Sequence, residues 1–500
     1  MSVRNFSPIP NSRYIPRRTN GTPRIWQCHQ LKEKLVKQYK KENKVHAKKR
    51  IDKLKFAPKF DVKYIHILEA HQMKFANKIG KICKKVYDKI QDINFAEVFK
   101  MKPQDFTRNR KIGFTGTMLI VLNKTGRGIK SAIRAYRETV KAETESYSAQ
   151  AFSKGRMRIK WEAFREIFKM TVEEFYVEFK NEFKTFKGYR VCAVDGTKID
   201  LPYSDDTVKD FGIQKCSGDL PQALGSCLYD ALNGIILDAE IAPYNGSERA
   251  LAKKHIENLS KMKTSKELII FDRGYSSSEL ISFIEQTGFK YLMRLEGTFA
   301  KGLLKKAQSN DCIVTHQFRT TKIEVTVRLL QLPIKDNNGN EITELLITNI
   351  FDDSFTSDDF KYLYHVRWGI ESKYNDIKNK LQMESFSGTT TLAIKQDFYA
   401  TMFLSNLASI MVFENAEEID RVHNSNDNIY QYKANINATI SILKEKVILM
   451  LITDSPRKSK KLMKYIYSEL ARAVVPIRDG RSYPRVKKHR SAKFHQNQKS

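Results

Sequence analysis

The stretch YLYHVRWGIESKYNDIKNKL, residues 362–381, decides the reading of this 500-residue chain. Taken as one helix at about 100° per residue, it brings Tyr364, Arg367, Glu371 and Lys378 to within about 60° of one another. Leu363, Val366, Ile370, Tyr374, Ile377 and Leu381 form an apolar face beside that stripe. The helix is expected to anchor on this face and to hold the polar row at the edge of a site. Trp368 is expected to pack. A carboxylate between cations suits a metal or a phosphate. The plain alternative is an amphipathic surface helix with i,i+4 charge pairs.

The bulk of the chain says what such a site would serve. There are 88 Lys and Arg against 56 Asp and Glu, a net charge of +32. Such a field attracts polyanions and predicts salt-sensitive binding to nucleic acid. Residues 1–60 hold 17 Lys and Arg against three acids, and residues 481–500 hold seven and none. The hydrophobic share of 41% and aromatic share of 11% are those of a folded chain, and its length implies several domains. No apolar run reaches the 18 or so residues of a membrane span, and no secretory signal is visible, so no membrane partner is expected. The six cysteines are scattered with no CxxC spacing, as for reduced thiols in a cytoplasm.

Along the chain, residues 1–30 read as an extended arm, 31–55 as a strongly cationic helix and 62–92 as a second helix. Short helices follow over 103–180. Among them SYSAQAFSKGRMRIKWEAFREIFKM is read as a Ser-capped helix exposing Gln150, Ser153, Lys154 and Arg156, part of a helix-turn-helix-like reader of DNA. At Tyr189 the period changes from about 3.6 to 2. YRVCAVDGTKIDLP is expected to be a strand ending on Asp195, and LGSCLYDALNGIILDAEIAPY a hairpin turning at Asn233-Gly234. ELIIFDRGY is a buried strand ending on Asp272, followed by a helix closed by Gly288 and a further strand, FKYLMRL. Residues 299–349 alternate as a small β insertion. An apolar helix, DFYATMFLSNLASIMVFENA, a helix near 433–452 and the basic tail complete the chain.

Two carboxylates at strand ends, Asp195 and Asp272, and one on the helix, Glu371, are the candidate catalytic and metal-binding set. The carboxyl edge of an α/β sheet is where such folds place their sites. Three hard oxygen donors suit Mg²⁺ or Mn²⁺, and two such ions on a carboxylate trio can activate a water or a 3′-hydroxyl for in-line phosphoryl transfer. Read as structure alone, Asp195-Gly196 and Asp272-Arg273-Gly274 are ordinary turns. Asp200, Asp205 and Asp206 are alternatives to the first carboxylate, and Glu384 and Asp376 to the third, Asp376 lying well off the stripe.

The spacing Tyr364-x2-Arg367-x3-Glu371-x6-Lys378 resembles the Tyr-Arg-Glu-Lys signature of DDE transposases of bacterial insertion sequences, in the family named for insertion sequence four. VDGTKIDLP, FDRGY, LITNI, AFSKGRMRIKWEAFREIF and RSYPRVKKHR also resemble that family, over most of residues 100–490. The resemblance implies an α/β fold with an RNase H-like catalytic core (186–298 and 350–415) interrupted by the β insertion (299–349). A basic helical arm (1–100) and a helical DNA-binding region (101–185) are expected before it, and a basic helical C-terminal region (416–500) after it. It also implies cut-and-paste transposition, in which Asp195, Asp272 and Glu371 bind two Mg²⁺ or Mn²⁺ ions and Tyr364, Arg367 and Lys378 hold DNA phosphates. The implied partners are double-stranded DNA, both transposon ends and target, and further copies of the chain on that DNA in a bacterial cytoplasm. Relatives that form hairpins use an aromatic of the insertion; residues 299–349 contain no Trp, and no residue is assigned to that step. The alternatives are an RNase H-like nuclease or resolvase without strand transfer, and a catalytically silent DNA-binding protein derived from a transposase.

Overall fold

The computed structural model describes residues 77–478, apart from 109–110, 124–127, 142–146, 215–219, 263–265, 319–320, 336–339 and 424–429. The expected N-terminal arm, the cationic helix 31–55, the first half of the helix 62–92 up to residue 76 and the tail 481–500 lie outside these residues.

Helices α1 (Lys78–Gln91), α2 (Phe114–Leu122), α3 (Ile129–Val140), α4 (Ala149–Arg156) and α5 (Glu162–Glu178) lead into the sheet. Strands β1 (Tyr189–Asp200), β2 (Gln222–Asp230) and β3 (Ile235–Pro243) form an antiparallel meander. Gly234, at φ +75°, makes the expected tight turn between the last two. Helix α6 (Glu248–Met262) crosses to β4 (Lys266–Phe271), and α7 (Ser278–Thr287) to β5 (Lys290–Arg294). Both strands run parallel to β1. Ser277 caps the start of α7 through Leu280 N, and Gly288, at φ +77°, closes its end.

After α8 (Gly297–Leu304) come β6 (Asp311–Gln317), β7 (Glu324–Lys335) and β8 (Glu341–Thr348). These strands of the 299–349 segment are not a separate sheet. β8 pairs with β5, giving one eight-stranded sheet in the order β3-β2-β1-β4-β5-β8-β7-β6. Helices α9 (Ser357–Val366), α10 (Gly369–Asn375), α11 (Thr391–Glu414), α12 (Ile436–Ile452) and α13 (Pro456–Arg472) follow, with a shorter helix at Ala416–His423 and a two-stranded sheet of Tyr432–Ala434 and Val474–Pro476. The fold is thus mixed α/β, with a large and mostly antiparallel sheet among many helices. No helix of the described residues is long and apolar enough to cross a membrane.

Strand alternation sorts the core into two layers. Val191, Leu268, Ile270 and Leu292 face α9, packing with Phe360, Leu363 and Tyr364. Their neighbours Cys192, Val194, Ile269, Phe271, Tyr291 and Met293 face the other way, into the larger core that includes residues of α6, α7 and α11. Continuing the same alternation by one residue aims Asp195 and Asp272 toward α9.

Three features differ from the sequence expectations. β1 does not end at Asp195; it stays paired with β2 to Asp200, and only its pairing with β4 stops, at Val194↔Phe271. The stretch 362–381 is not one helix. α9 ends at Val366, α10 starts at Gly369, and Asp376–Lys380 form a π turn. Arg156 is not exposed on α4. Its side chain is only 3% exposed and pairs with Asp397 of α11 at 2.8 Å, with Gln396 and Ser387 also accepting from it. That charge serves packing and is closed to DNA.

Candidate active site

Asp195 and Asp272 each stand one residue beyond the last paired residues of β1 and β4. They are therefore side by side, at about the 5 Å spacing of neighbouring strands. The Asp272 carboxylate takes the backbone N–H of Arg273 at 2.8 Å and the Tyr364 hydroxyl at 2.9 Å, both on Oδ1. The Tyr364 bond is a direct product of the layering, since α9 covers the face toward which Asp272 points. On the neighbouring strand, Tyr374 of α10 donates its hydroxyl to the Asp195 carbonyl at 2.6 Å.

The break after Val366 places Arg367 between the two helices. Its guanidinium is 1% exposed and lies 5.4 Å from the Tyr364 ring centre and 4.8 Å from that of Trp368. Nη2 donates to Glu371 Oε1 at 3.4 Å, while Nε and Nη1 are buried with no hydrogen-bond partner among the described residues. Trp368, expected to pack, is 48% exposed, because at the helix junction its ring lies over Arg367 and not in the core. Lys378 falls on the π turn, so it leaves the stripe that a continuous helix would give. It donates to the Lys198 carbonyl of β1 and lies 3.7 Å from Glu384.

The electrostatics tie these groups into one site. Burial pushes the Asp195 carboxyl up to about 7, opposed by the Gly196 N–H and Arg367 and reinforced by Glu371 and Glu248. Partial burial also raises Asp272. The Arg273 N–H, Arg367, Tyr364 and Arg294 outweigh it and hold Asp272 below the ordinary carboxylate range. Arg367 is surrounded by Tyr364, Asp272, Glu371 and Asp195, which keep it charged against the cost of its burial. The Glu371 side chain is 39% exposed.

Hard oxygen donors on adjacent strand ends fit a divalent cation in kind. Burial, the main cause of the raised Asp195 carboxyl, disfavours its charged form, which a bound cation would stabilise. Among the described residues, however, no group of three or more His, Cys, Asp or Glu side chains is gathered closely enough to hold a metal. The three carboxylates share one edge of the sheet without closing into a ready-made cage, and Glu371 is engaged by Arg367.

The alternative acids are otherwise employed. Asp200 accepts from Gln222 at 2.6 Å, and Asp205 and Asp206 open a short helix. Asp376 pairs with Lys380 at 2.6 Å, and Glu384 accepts from Asp200 N. Sequence reasoning missed Glu248, in the first turn of α6. A Cβ on Gly196 would meet the Glu248 carboxyl at 2.9 Å, so this fourth acid lies flush against the backbone beside Asp195. Also missed was a buried relay beneath β1. Asp238 Oδ2 lies 2.8 Å from His255 Nδ1, His255 Nε2 lies 3.0 Å from Ser226 Oγ, and Ser226 Oγ lies 3.4 Å from the Asp195 carbonyl. It has the order of a Ser-His-Asp triad, yet His255 and Ser226 are fully buried, so its role is to hold β1 and β2 and not to attack a substrate. The i,i+3 and period-2 patterns that place these residues inside also make them look like ordinary core polar groups.

A family model of the transposase DDE domain matches residues 186–407, the span from β1 into α11. The transposase InsG for insertion sequence element IS4 of Escherichia coli (strain K12) is 22% identical over 361 residues, covering 69% of this chain and 77% of that protein. A piggyBac transposase, solved as a synaptic complex with hairpin DNA, aligns over 77% of this chain and 85% of its own, at 10% identity and a TM-score of 0.42. The chain is thus similar to a transposase DDE domain over the carboxylate-bearing core and to an IS4 transposase over 361 residues.

Proposed function

We propose that this chain is a metal-dependent DNA transposase that cuts at the terminal inverted repeats of an insertion sequence and joins the freed ends to target DNA. The observation that carries the reading is that Asp195 and Asp272 lie just past the last β1–β4 pair, with the buried Arg367 of the α9–α10 junction acting electrostatically on both and on Glu371. The five strands β3-β2-β1-β4-β5, an antiparallel meander extended by two parallel strands, support an RNase H-like core.

In this reading Asp195, Asp272 and Glu371 hold Mg²⁺ or Mn²⁺, which supplies Lewis-acid activation of a water or 3′-hydroxyl and of the leaving oxygen. The chain's own groups prepare the site. Tyr364 fixes the orientation of Asp272 through its hydroxyl. Arg367 is as buried as Arg156, so it acts on Asp195, Asp272 and Glu371 through its charge and meets a phosphate oxygen only where the α9–α10 junction opens. Lys378 adds a cation that reaches DNA on leaving the Lys198 carbonyl. The substrate is double-stranded DNA in a bacterial nucleoid, bound by two or more copies so that both ends are held together.

The test is cleavage of a DNA fragment carrying the element's end, in Mg²⁺, followed by a search for joined products. Wild-type protein is expected to nick the end and transfer it, and Asp195→Ala, Asp272→Ala and Glu371→Ala to bind DNA without nicking. Nicking without joining would replace the reading by a nuclease or resolvase. Binding without nicking by the wild type would replace it by a silent DNA-binding protein.

A further inference from the structure

The polar face of α13, PRKSKKLMKYIYSELAR, is not used by anything described so far. Its apolar side is fixed. Met463, Ile466 and Leu470 are buried, Tyr467 donates to Glu414 at the end of α11 at 2.6 Å, and Ser459 accepts from Asn77 at 2.9 Å. The opposite side carries Arg457, Lys458, Lys460, Lys461 and Lys464, all exposed, with Tyr465 beside them at 54% exposure. Arg457, Lys461 and Lys464 follow the i, i+4, i+7 spacing and so form one line, about 10 Å long at 1.5 Å per residue. None of the five cations has an ion-pair partner among the described residues. By contrast, most lysines of α1 and the last arginine of α13 are paired, as in Lys85–Glu174, Lys84–Asp88 and Arg472–Glu469. A helix that leaves a regular line of cations without acidic partners on its exposed side is complementary to a regular polyanion.

We propose that this face of α13 grips the phosphate backbone of duplex DNA away from the cleavage site. Tyr399 of α11 bonds the Ala239 carbonyl, and Ala239 is joined through Cys227 to Asp195 across the strands. Glu414, which anchors α13, lies fifteen residues further along α11 (399 to 414), about 22 Å along its axis. The grip is therefore separate from the carboxylates, and it rests on the reading of DNA as the substrate. Rigid attachment matters here. A line of cations on an anchored helix fixes the direction of the duplex, whereas the same charges on a loose tail would add only attraction.

The experiment measures binding of the full chain to a duplex carrying the element's end, by fluorescence anisotropy across a salt series, with and without Arg457→Ala/Lys461→Ala/Lys464→Ala. The slope of log affinity against log salt is expected to become shallower by about 0.9 for each phosphate no longer neutralised, so by about 2.7 for the triple variant. Lys461→Arg/Lys464→Arg keeps the charge and is expected to keep the wild-type slope. All these positions are exposed, and matching melting curves will verify that the variants fold. An unchanged slope in the triple variant, with the wild type binding and nicking DNA, would overturn this inference alone. A triple variant that loses binding to anionic vesicles and not to DNA would overturn it in favour of a membrane surface. A wild type that does not bind duplex DNA would overturn both this inference and the proposed function.

Discussion

Asp195 holds its proton more tightly in the folded chain than in the unfolded one. Its folded carboxyl is raised from 3.8 to about 7, whereas an unfolded aspartate has no such burial. Between those values the folded chain keeps a proton that the unfolded chain has released. The stability contributed by Asp195 is thus complete below about pH 4 and is lost as pH rises through 7. In chelator, wild-type melting temperature should fall from pH 5 to pH 8 more steeply than that of Asp195→Asn, which has no such proton. Parallel curves would refute the shift. A second outcome concerns Gly196. Adding a methyl there meets the Glu248 carboxyl, the end of a flexible side chain that can turn aside, so Gly196→Ala should lose no more than about 1 kcal/mol of stability in chemical denaturation. Glu248→Ala in the same chain should recover most of that loss. A double variant as unstable as the single one would show that Glu248 is not the obstacle. Asp272 was legible because a buried apolar run ending on an acid marks a strand end, whereas Asp195 is a mid-strand residue at which only the pairing with β4 stops. Glu248 was not legible, since an acid in the first turn of a helix looks like a response to the helix dipole.

At the scale of elements, the Tyr-Arg-Glu-Lys spacing was legible while its geometry was not. A helical wheel assumes an unbroken helix, and here the chain breaks at Arg367-Trp368 and loosens into a π turn at Asp376. The break delivers Arg367 into the site, and the π turn swings Lys378 onto the Lys198 carbonyl. π turns recur at functional sites for this reason, since they re-aim a side chain without ending the helix. The short helix α4 misled in the opposite direction. Its arginine looks like a DNA-binding residue in one dimension, but long-range pairing with Asp397, 241 residues away, takes it into the core. Arg156→Met should therefore destabilise the fold by about 3–5 kcal/mol, because it leaves Asp397 buried without its cation. Arg156→Met/Asp397→Leu should regain much of this in a denaturant titration. If Arg156→Met instead folds normally and only weakens DNA binding, α4 reads DNA after all.

For the whole molecule, composition pointed to a class of partner and topology arranges the candidate site. The excess of Lys and Arg pointed to a polyanion before any fold was known. The joining of β8 to β5 could not be read from sequence, because alternation marks a strand and says nothing of which neighbour it takes. That joining sets the 299–349 strands beyond β5 in the same sheet, with α9 packed across them and the carboxylate-bearing strands. It sets Glu371 within electrostatic reach of Asp195, 176 residues earlier (195 to 371). The most direct measurement is Mn²⁺ binding to metal-free protein, followed by electron paramagnetic resonance. The account predicts that wild type binds Mn²⁺ and that Asp195→Ala and Asp272→Ala each weaken it at least tenfold, with Glu371→Ala weakening it further in the presence of end DNA. Equal Mn²⁺ affinity in wild type and in both aspartate variants would contradict it.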